Sequence, residues 1–169
     1  MARLEKKSCG RAINVPKMLD AISHVAVWVH DQDVAKEFYT EKLGFEVRED
    51  NTLPGFDNYR WLTVGPPGQP DVRIILSYPG PPAVDPESAE LLLELVARGA
   101  LGPGIIRTDD CRKACAELEA RGVELSQQPD ERFYGIDAAV RDPSGNEWRI
   151  VQPLEYDIEA VKAQQAERA

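Results

Sequence analysis

The chain has 169 residues, with 20 Lys and Arg against 29 Asp and Glu, and a formal net charge of −9. This length fits one domain, and a hydrophobic content of 43% is enough for a core, which argues against a wholly disordered chain. No uncharged apolar run approaches the roughly 18 residues that a membrane helix needs. An acidic body also repels phosphate backbones. We therefore expect neither a membrane nor a nucleic-acid partner.

Residues 1–17 form a basic tail, with five basic side chains against one acidic one and no apolar segment of a secretory signal. We predict that this tail is flexible and give it no function. Three cysteines, Cys9, Cys111 and Cys115, are too few for a disulfide scaffold. The predicted location is the reducing cytoplasm.

Hydrophobic periodicity and turn residues predict five elements in a first module, over residues 20–80. They are a strand over Ile22–Val29, a helix to Leu43, and strands over Phe45–Glu49, Asn58–Val64 and Val72–Tyr78. We place Val34, Phe38 and Tyr39 on the apolar side of the helix, and Gly44 at the position that favours a C-terminal glycine. The pattern predicts one β-α-β-β-β unit.

The same order returns in a second module, over residues 102–153. Its predicted elements are a strand over Ile105–Thr108, a helix from Cys111 ending at Gly122, and strands over Val123–Ser126, Gly135–Val140 and Glu147–Gln152. A duplication at a spacing near 80 residues is too long for a solenoid repeat. We therefore predict two modules that pair their sheets within one domain over residues 18–155.

Two further helices are predicted outside the modules. The first spans residues 85–98, begins with Asp85-Pro86-Glu87, and has an apolar face formed by Leu91, Leu92, Leu95 and Val96. The second spans residues 156–169 and is mostly polar or alanine, so we expect it on the surface or against a partner subunit.

Alternation along the first strand places His24, Ala26 and Trp28 on one face and Val25, Val27 and Val29 on the other. The valine face suits packing against a helix, and the mixed face suits a cleft. The same argument places Arg107 in the cleft on its strand, and Glu147 and Arg149 on the last strand, with Trp148 and Ile150 behind. The two faces of the third strand, with Tyr59 and Trp61 on one side and Arg60 and Leu62 on the other, are too similar to orient it.

Four short motifs identify a family that this pattern resembles. They are His24-Val25-Ala26-Val27, Phe38-Tyr39, Leu43-Gly44-Phe45 and Asp142-Pro143-Ser144-Gly145-Asn146. In this order they resemble the vicinal oxygen chelate superfamily, which includes glyoxalases, extradiol dioxygenases and bleomycin-resistance binding proteins. The resemblance covers roughly residues 20–153. It implies an α+β fold in which two βαβββ modules form a curled mixed sheet with a cleft, often completed by a second subunit, so a homodimer is expected.

The resemblance also indicates where a metal would bind. Metal-dependent members draw ligands from the first and last strand of each module, and those positions here hold His24, Ile75, Pro103 (or Gly104) and Arg149. Of these, only His24 has a side chain that ligates a divalent ion. We therefore expect no metal and no other cofactor, unless an acid such as Glu147 replaces a missing ligand beside His24.

The leading hypothesis is metal-independent binding of a small anionic or aromatic molecule in the cleft, as in drug-sequestering members. The candidate ligand-binding residues are His24, Trp28, Trp61, Arg107, Glu147 and Arg149. The alternative is an enzyme: a lyase, isomerase or oxygenase with a non-standard metal site that includes His24, or a metal-free catalyst with His24 as general base. A purely structural module is a third, weaker alternative.

Each candidate residue also has a structural interpretation. Arg107 and Arg149 are equally suited to ion pairs with Glu147 or Asp137, and tryptophans are common in cores and subunit interfaces. His24 alone is suited to a hydrogen bond with a neighbouring strand. Cys111 and Cys115 fall on the apolar stripe of their helix, which favours buried, inert thiols over a reactive thiolate.

Overall fold

The computed structural model describes residues 21–159, which form two βαβββ modules joined by a helix. The first module contains β1 (His24–Trp28), α1 (Gln32–Glu37), a π-helical turn (Phe38–Lys42), β2 (Glu46–Leu53), β3 (Tyr59–Gly65) and β4 (Arg73–Ser77). The helix α2 (Pro86–Ala97) follows. The second module contains β5 (Gly104–Arg107), α3 (Cys111–Ala120), β6 (Leu125–Arg132), β7 (Gly135–Arg141) and β8 (Glu147–Pro153). The predicted α+β fold is confirmed.

Each module forms a four-stranded mixed sheet, with the orders β1-β4-β3-β2 and β5-β8-β7-β6. We call these the first and second sheets. In each one the first and last strands of the module run parallel, and the remaining neighbours are antiparallel. Ala26 pairs with Ile75 in the first sheet, and the equivalent residues Ile105 and Arg149 pair in the second. The two modules therefore share the same strand register.

The first helix differs from its prediction. Asp31 caps it as expected, with its carboxylate accepting from the backbone N–H groups of Asp33 and Val34, but α-helix gives way to π-helix after Glu37. Ala35 and Tyr39, four residues apart, form the buried stripe, which leaves Val34 exposed. The placement of Val34 on the apolar side was therefore wrong. Gly44 has the expected left-handed conformation, with φ of 74°.

One core lies between the helices and the inner faces of both sheets. Val27, Val29 and Tyr39 of the first module belong to the same buried cluster as Trp148 and Ile150 of the second. Trp148 and Ile150 are thus buried as predicted. Val25 is 42% exposed, because only the C-terminal half of β1 reaches this core, so its predicted packing against a helix was wrong.

A buried hydrogen-bond network joins the modules. The Tyr39 hydroxyl accepts from Trp148 Nε1 at 2.7 Å and donates to Asp142 Oδ2 at 2.9 Å. Asn146 Nδ2 donates to the same carboxylate and to the backbone oxygen of Trp28, both within 2.9 Å. Burial, followed by the nearby Asp142 charge, raises the pKa of Tyr39 well above its usual value. The turn after β7 therefore holds the end of β1.

The connecting helix begins as predicted, with the Asp85 side chain accepting from the backbone N–H of Ser88. Its buried contacts come from Ala89 and Val96, seven residues apart. Leu91 and Leu95 are exposed, so half of the predicted apolar face was wrong, because the helix packs on one narrow stripe.

Two strands are longer than predicted, since β2 extends to Leu53 and β6 to Arg132. Of the predicted C-terminal helix, only Ile158 and Glu159 are described as helical, and residues 160–169 lie outside the described range, as do the basic tail and Cys9. Within residues 21–159, no helix is both long and apolar enough to span a membrane.

Candidate functional site

The candidate residues lie on the outer faces of the two sheets, the faces turned away from the shared core. In the first sheet Leu62 and Val64 point into the core, so Tyr59, Trp61 and Thr63 lie on the outer face. This settles the orientation of the third strand. Strand pairing places equivalent positions of neighbouring strands on the same face, so the outer face of the second sheet contains Arg149 and its partner Ile105.

Aromatic side chains cover the outer face of the first sheet. The rings of His24 and Trp61 lie 5.6 Å apart between centroids and are tilted by 55°. The Tyr59 hydroxyl hydrogen-bonds with Ser77 Oγ at 2.8 Å. All three rings are half-buried and therefore remain partly accessible. Trp28 is half-buried on the same strand as His24, two residues beyond Ala26.

A cavity of about 280 Å³ adjoins these rings. Its lining is almost wholly apolar and consists of Leu53, Phe56, Tyr59, Trp61, Pro82 and Ala83. Ligand pockets in proteins usually measure 300–1,000 Å³. The cavity is therefore large enough for part of a drug-sized molecule, with the rest lying across the aromatic face.

An arginine and a threonine that the sequence analysis missed lie at the other end of the same face. Arg73 pairs in register with His24, and its Nε lies 3.6 Å from Glu49 Oε1 on β2. Thr63, between those strands, is 0% exposed. The resemblance gave Ile75 a metal position on the cleft face, and alternation from Ile75 would also have found Arg73, two residues earlier. Thr63 was hidden by the ambiguous orientation of its strand.

On the second outer face, Arg149 is held in a polar cluster. Its Nε donates to Asp137 Oδ1 at 3.0 Å, its Nη2 donates to Asp137 Oδ2, and its Nη1 donates to Gln127 at 3.0 Å. The Tyr134 hydroxyl donates to the same carboxylate. The ion-pair interpretation of Arg149 therefore matches the geometry, and the pair leaves no net charge to attract an anion.

Asp137 is charged despite being only 3% exposed. Burial opposes its ionisation, but the hydrogen bonds from Arg149 and Tyr134 outweigh burial and lower the pKa of the Asp137 carboxyl below its usual value. The same hydrogen bond to Asp137 raises the pKa of Arg149.

The remaining candidates are not brought together. Glu147 pairs with Arg141 at 3.2 Å, and the Arg107 side chain is exposed, with no hydrogen bond or ion pair to any residue in the range 21–159. Within that range, no ring contact, hydrogen bond or ion pair joins His24, Trp28 or Trp61 to the candidates of the second sheet. One chain alone therefore does not close the predicted cleft around all six residues.

Larger cavities lie along the seam between the modules. One of about 550 Å³ is lined by Val25, Ile74, Trp148 and Arg107 among others, and one of about 380 Å³ by Phe45, Leu118 and Arg107. Arg107 is the one candidate ligand-binding residue that lines either of these two cavities. They offer apolar volume, but not the paired rings of the first sheet.

The two cysteines of α3 are both free and buried. Burial raises the pKa of Cys111 and raises that of Cys115 to about 12. Cys111 Sγ also donates to the backbone oxygen of Ile150 at 3.5 Å. The inert interpretation therefore fits both thiols.

Comparison with known proteins decides the family. The family model described as Glyoxalase/Bleomycin resistance protein/Dioxygenase superfamily matches residues 21–150, most of the chain. The chain belongs to this superfamily. Its metal-dependent members raise the question of whether a divalent ion fits here.

The residues at the superfamily's metal positions do not fit a metal. His24 has the permanent cation Arg73 as its in-register neighbour, and Arg149 is bound to Asp137 on the other sheet. In the part of the chain from 21 to 159, no three His, Cys, Asp or Glu side chains are grouped so that they could hold a metal ion. We therefore derive no step through a metal.

Relatives in the superfamily include uncharacterised and antibiotic-binding proteins. An uncharacterised protein of Shewanella frigidimarina (strain NCIMB 400) is 31% identical over 139 residues, which cover 80% of this chain and 95% of that protein. The crystal structure of UcmS2 is 42% identical, with a TM-score of 0.75 and coverage of 80% and 99%. TnmS3, an antibiotic binding protein from Streptomyces sp. CB03234, is 32% identical, with a TM-score of 0.64 and coverage of 81% and 98%.

Proposed function

We propose that this protein binds a small organic molecule on the outer face of its first sheet, without a metal ion. The observation that carries the proposal is the pair of half-buried rings, His24 and Trp61, whose centroids lie 5.6 Å apart, together with the apolar cavity that Trp61 lines. Aromatic rings stack in offset or tilted arrangements over such distances, so this surface suits an aromatic ligand. The antibiotic-binding function of the structural relative TnmS3 supports this reading.

The proposal assigns different weights to the six candidate residues. Trp61, His24 and Trp28 supply the aromatic surface on the first sheet. Arg149 serves mainly to hold Asp137, because its guanidinium is already engaged by a carboxylate and an amide. Arg107 and Glu147 lie on the outer face of the second sheet, so they reach the ligand only if that face covers the outer face of the first sheet.

A second copy of the chain would provide that cover. Ile105, on the outer face of the second sheet, is 69% exposed, and a partner that covered it would remove its apolar surface from water. We propose a homodimer in which the second sheet of one copy faces the first sheet of the other. The predicted cytoplasmic location is retained as part of the proposal.

A thermal-shift screen of aromatic compounds, including antibiotics, tests the proposal. Ligand at about 100 times its Kd stabilises the native state by roughly 2.7 kcal/mol, which is readily measured. Each hit is then repeated with Trp61→Ala and with Phe133→Ala, which removes an exposed aromatic ring in the turn between β6 and β7. We expect Trp61→Ala to abolish the shift and Phe133→Ala to retain it.

Two results would contradict the proposal. Equal losses in both variants would show that the aromatic face of the first sheet is not the site. One tightly held divalent metal per chain in elemental analysis, lost on His24→Ala, would instead favour the enzyme alternative.

A further inference from the structure

The outer face of the first sheet contains polar atoms that its fold leaves unsatisfied. Arg48 Nε, Thr63 Oγ1 and Arg73 Nε are all buried, and none has a hydrogen-bond partner among residues 21–159. Most buried polar groups in proteins are hydrogen-bonded, and leaving one unpaired costs about 1–3 kcal/mol. Three such groups on one face therefore require an explanation.

Strand pairing brings these three groups to one place. Thr63 on β3 pairs with Glu49 on one side and Ile75 on the other. Arg73 reaches from β4 across β3 to approach Glu49, so its side chain crosses the outer face of β3 beside Thr63. This explains why the threonine is 0% exposed although it lies on an outer face.

Arg48 approaches the same outer face beside Gly65. A Cβ at Gly65 would lie 3.3 Å from Arg48 Nε, and Gly65 lies two residues beyond Thr63 on the same face. Arg48 Nη2 also donates to the backbone oxygen of Pro66 at 2.9 Å. The register thus brings the two guanidinium groups to the part of the outer face that contains the buried Thr63 hydroxyl.

We propose that Arg48, Thr63 and Arg73 form a subsite for a carboxylate carried by an aromatic ligand. This rests on the proposed function, because the rings of His24 and Trp61 would hold the aromatic part beside it. In the free protein the Glu49 carboxylate lies at the subsite without filling it, because its 3.6 Å contact with Arg73 Nε is too long for a hydrogen bond. A ligand carboxylate displaces Glu49 and accepts from both the Arg73 guanidinium and the Thr63 hydroxyl.

This subsite differs from the anion-binding groups expected from the sequence. Arg149 is already neutralised by Asp137. The contact between Arg73 and Glu49 is loose, and these two side chains are 35% and 41% exposed. The anion-binding role therefore moves from the second sheet to the first.

The test compares two probes of the same shape, 2-naphthoate and 2-naphthamide, by isothermal titration calorimetry. For the wild type we expect naphthoate to bind about tenfold more tightly, since a charge-assisted hydrogen bond is worth that much. Arg73→Gln should remove this preference while retaining the affinity for naphthamide. Arg98→Gln, an exposed arginine on α2 with one carboxylate partner, should retain the preference.

Two further variants separate the roles within the subsite. Glu49→Gln should tighten naphthoate binding, because no charged side chain then competes for Arg73; unchanged or weaker binding would refute the displacement of Glu49. Thr63→Val keeps the side-chain shape and should reduce the preference for naphthoate. It serves as the test if far-UV circular dichroism shows that Arg73→Gln does not fold.

The possible failures can be distinguished. If the wild type binds both probes equally, the carboxylate subsite is wrong and the aromatic site stands. If neither probe binds, the aromatic site itself is wrong, and the subsite is wrong with it.

Discussion

Replacing Tyr39 by phenylalanine removes one hydroxyl from the network that joins the two modules. The hydroxyl is the acceptor for Trp148 Nε1 and a donor to Asp142, and both of these residues are less than 5% exposed. The ring itself stays, so packing against Phe45 and Trp148 is preserved. The variant therefore tests the hydrogen bonds alone.

The magnitude follows from what each partner loses. A hydrogen bond to a charged group contributes about 1.5–3 kcal/mol, and a buried donor left without an acceptor costs about 1–3 kcal/mol. Asp142 keeps its bonds from Asn146 and from three backbone N–H groups, whereas Trp148 Nε1 is left with no acceptor. These effects overlap, so we expect Tyr39→Phe to lower the free energy of unfolding by about 3 kcal/mol.

Urea denaturation followed by far-UV circular dichroism measures this loss. Tyr59→Phe is the matched control, because the Tyr59 side chain is only half-buried and, among residues 21–159, its hydroxyl bonds only the neutral Ser77. We expect the control to lose about 1 kcal/mol or less. A loss in Tyr39→Phe no larger than in the control would refute the role of this network in joining the modules.

Three further predictions concern the second module. Arg149→Met leaves Asp137 buried without its ion-pair partner, so urea denaturation should show a loss of about 2–3 kcal/mol, and a neutral effect would contradict the pairing. Because folding lowers the pKa of Asp137, its contribution to stability is complete above about pH 4 and is lost as the pH falls below that value. Asp137→Asn should therefore make the free energy of unfolding less dependent on pH below about pH 4. An unchanged pH dependence would refute this reasoning. In a Cys9→Ser chain, Ellman's reagent should label neither Cys111 nor Cys115 before denaturation and both afterwards; rapid labelling of the native chain would contradict their burial.

The fold was predictable because the repeat is encoded in local signals. Capping aspartates at Asp31 and Asp110, and glycines at Gly44 and Gly122 with φ of 74° and 79°, mark equivalent helix ends in both modules. These signals depend on a few neighbouring residues and survive in a single sequence. Burial on a helix depends instead on what packs against it, which is why Val34, Leu91 and Leu95 were misplaced.

The site was only partly predictable, because its geometry depends on contacts between distant strands. Alternation correctly placed His24 on an outer face, but its contact with Trp61 required the orientation of β3. The sequence offered Asp137 as one of two acidic partners for Arg149, but it did not indicate that Nε and Nη2 of Arg149 would bind both oxygens of that carboxylate, or that Arg73 would cross β3 to Glu49. The two outer faces are separate because both modules pack against one core, and this arrangement also depends on contacts between residues distant in the sequence.

The most direct test of the central claim is calorimetric titration of an aromatic ligand from the screen into protein dialysed against EDTA. We expect the same affinity with and without added Zn²⁺, Ni²⁺, Mn²⁺ or Fe²⁺, and a loss of binding in Trp61→Ala. Binding that appears only after a divalent metal is added, or that survives Trp61→Ala unchanged, would contradict it.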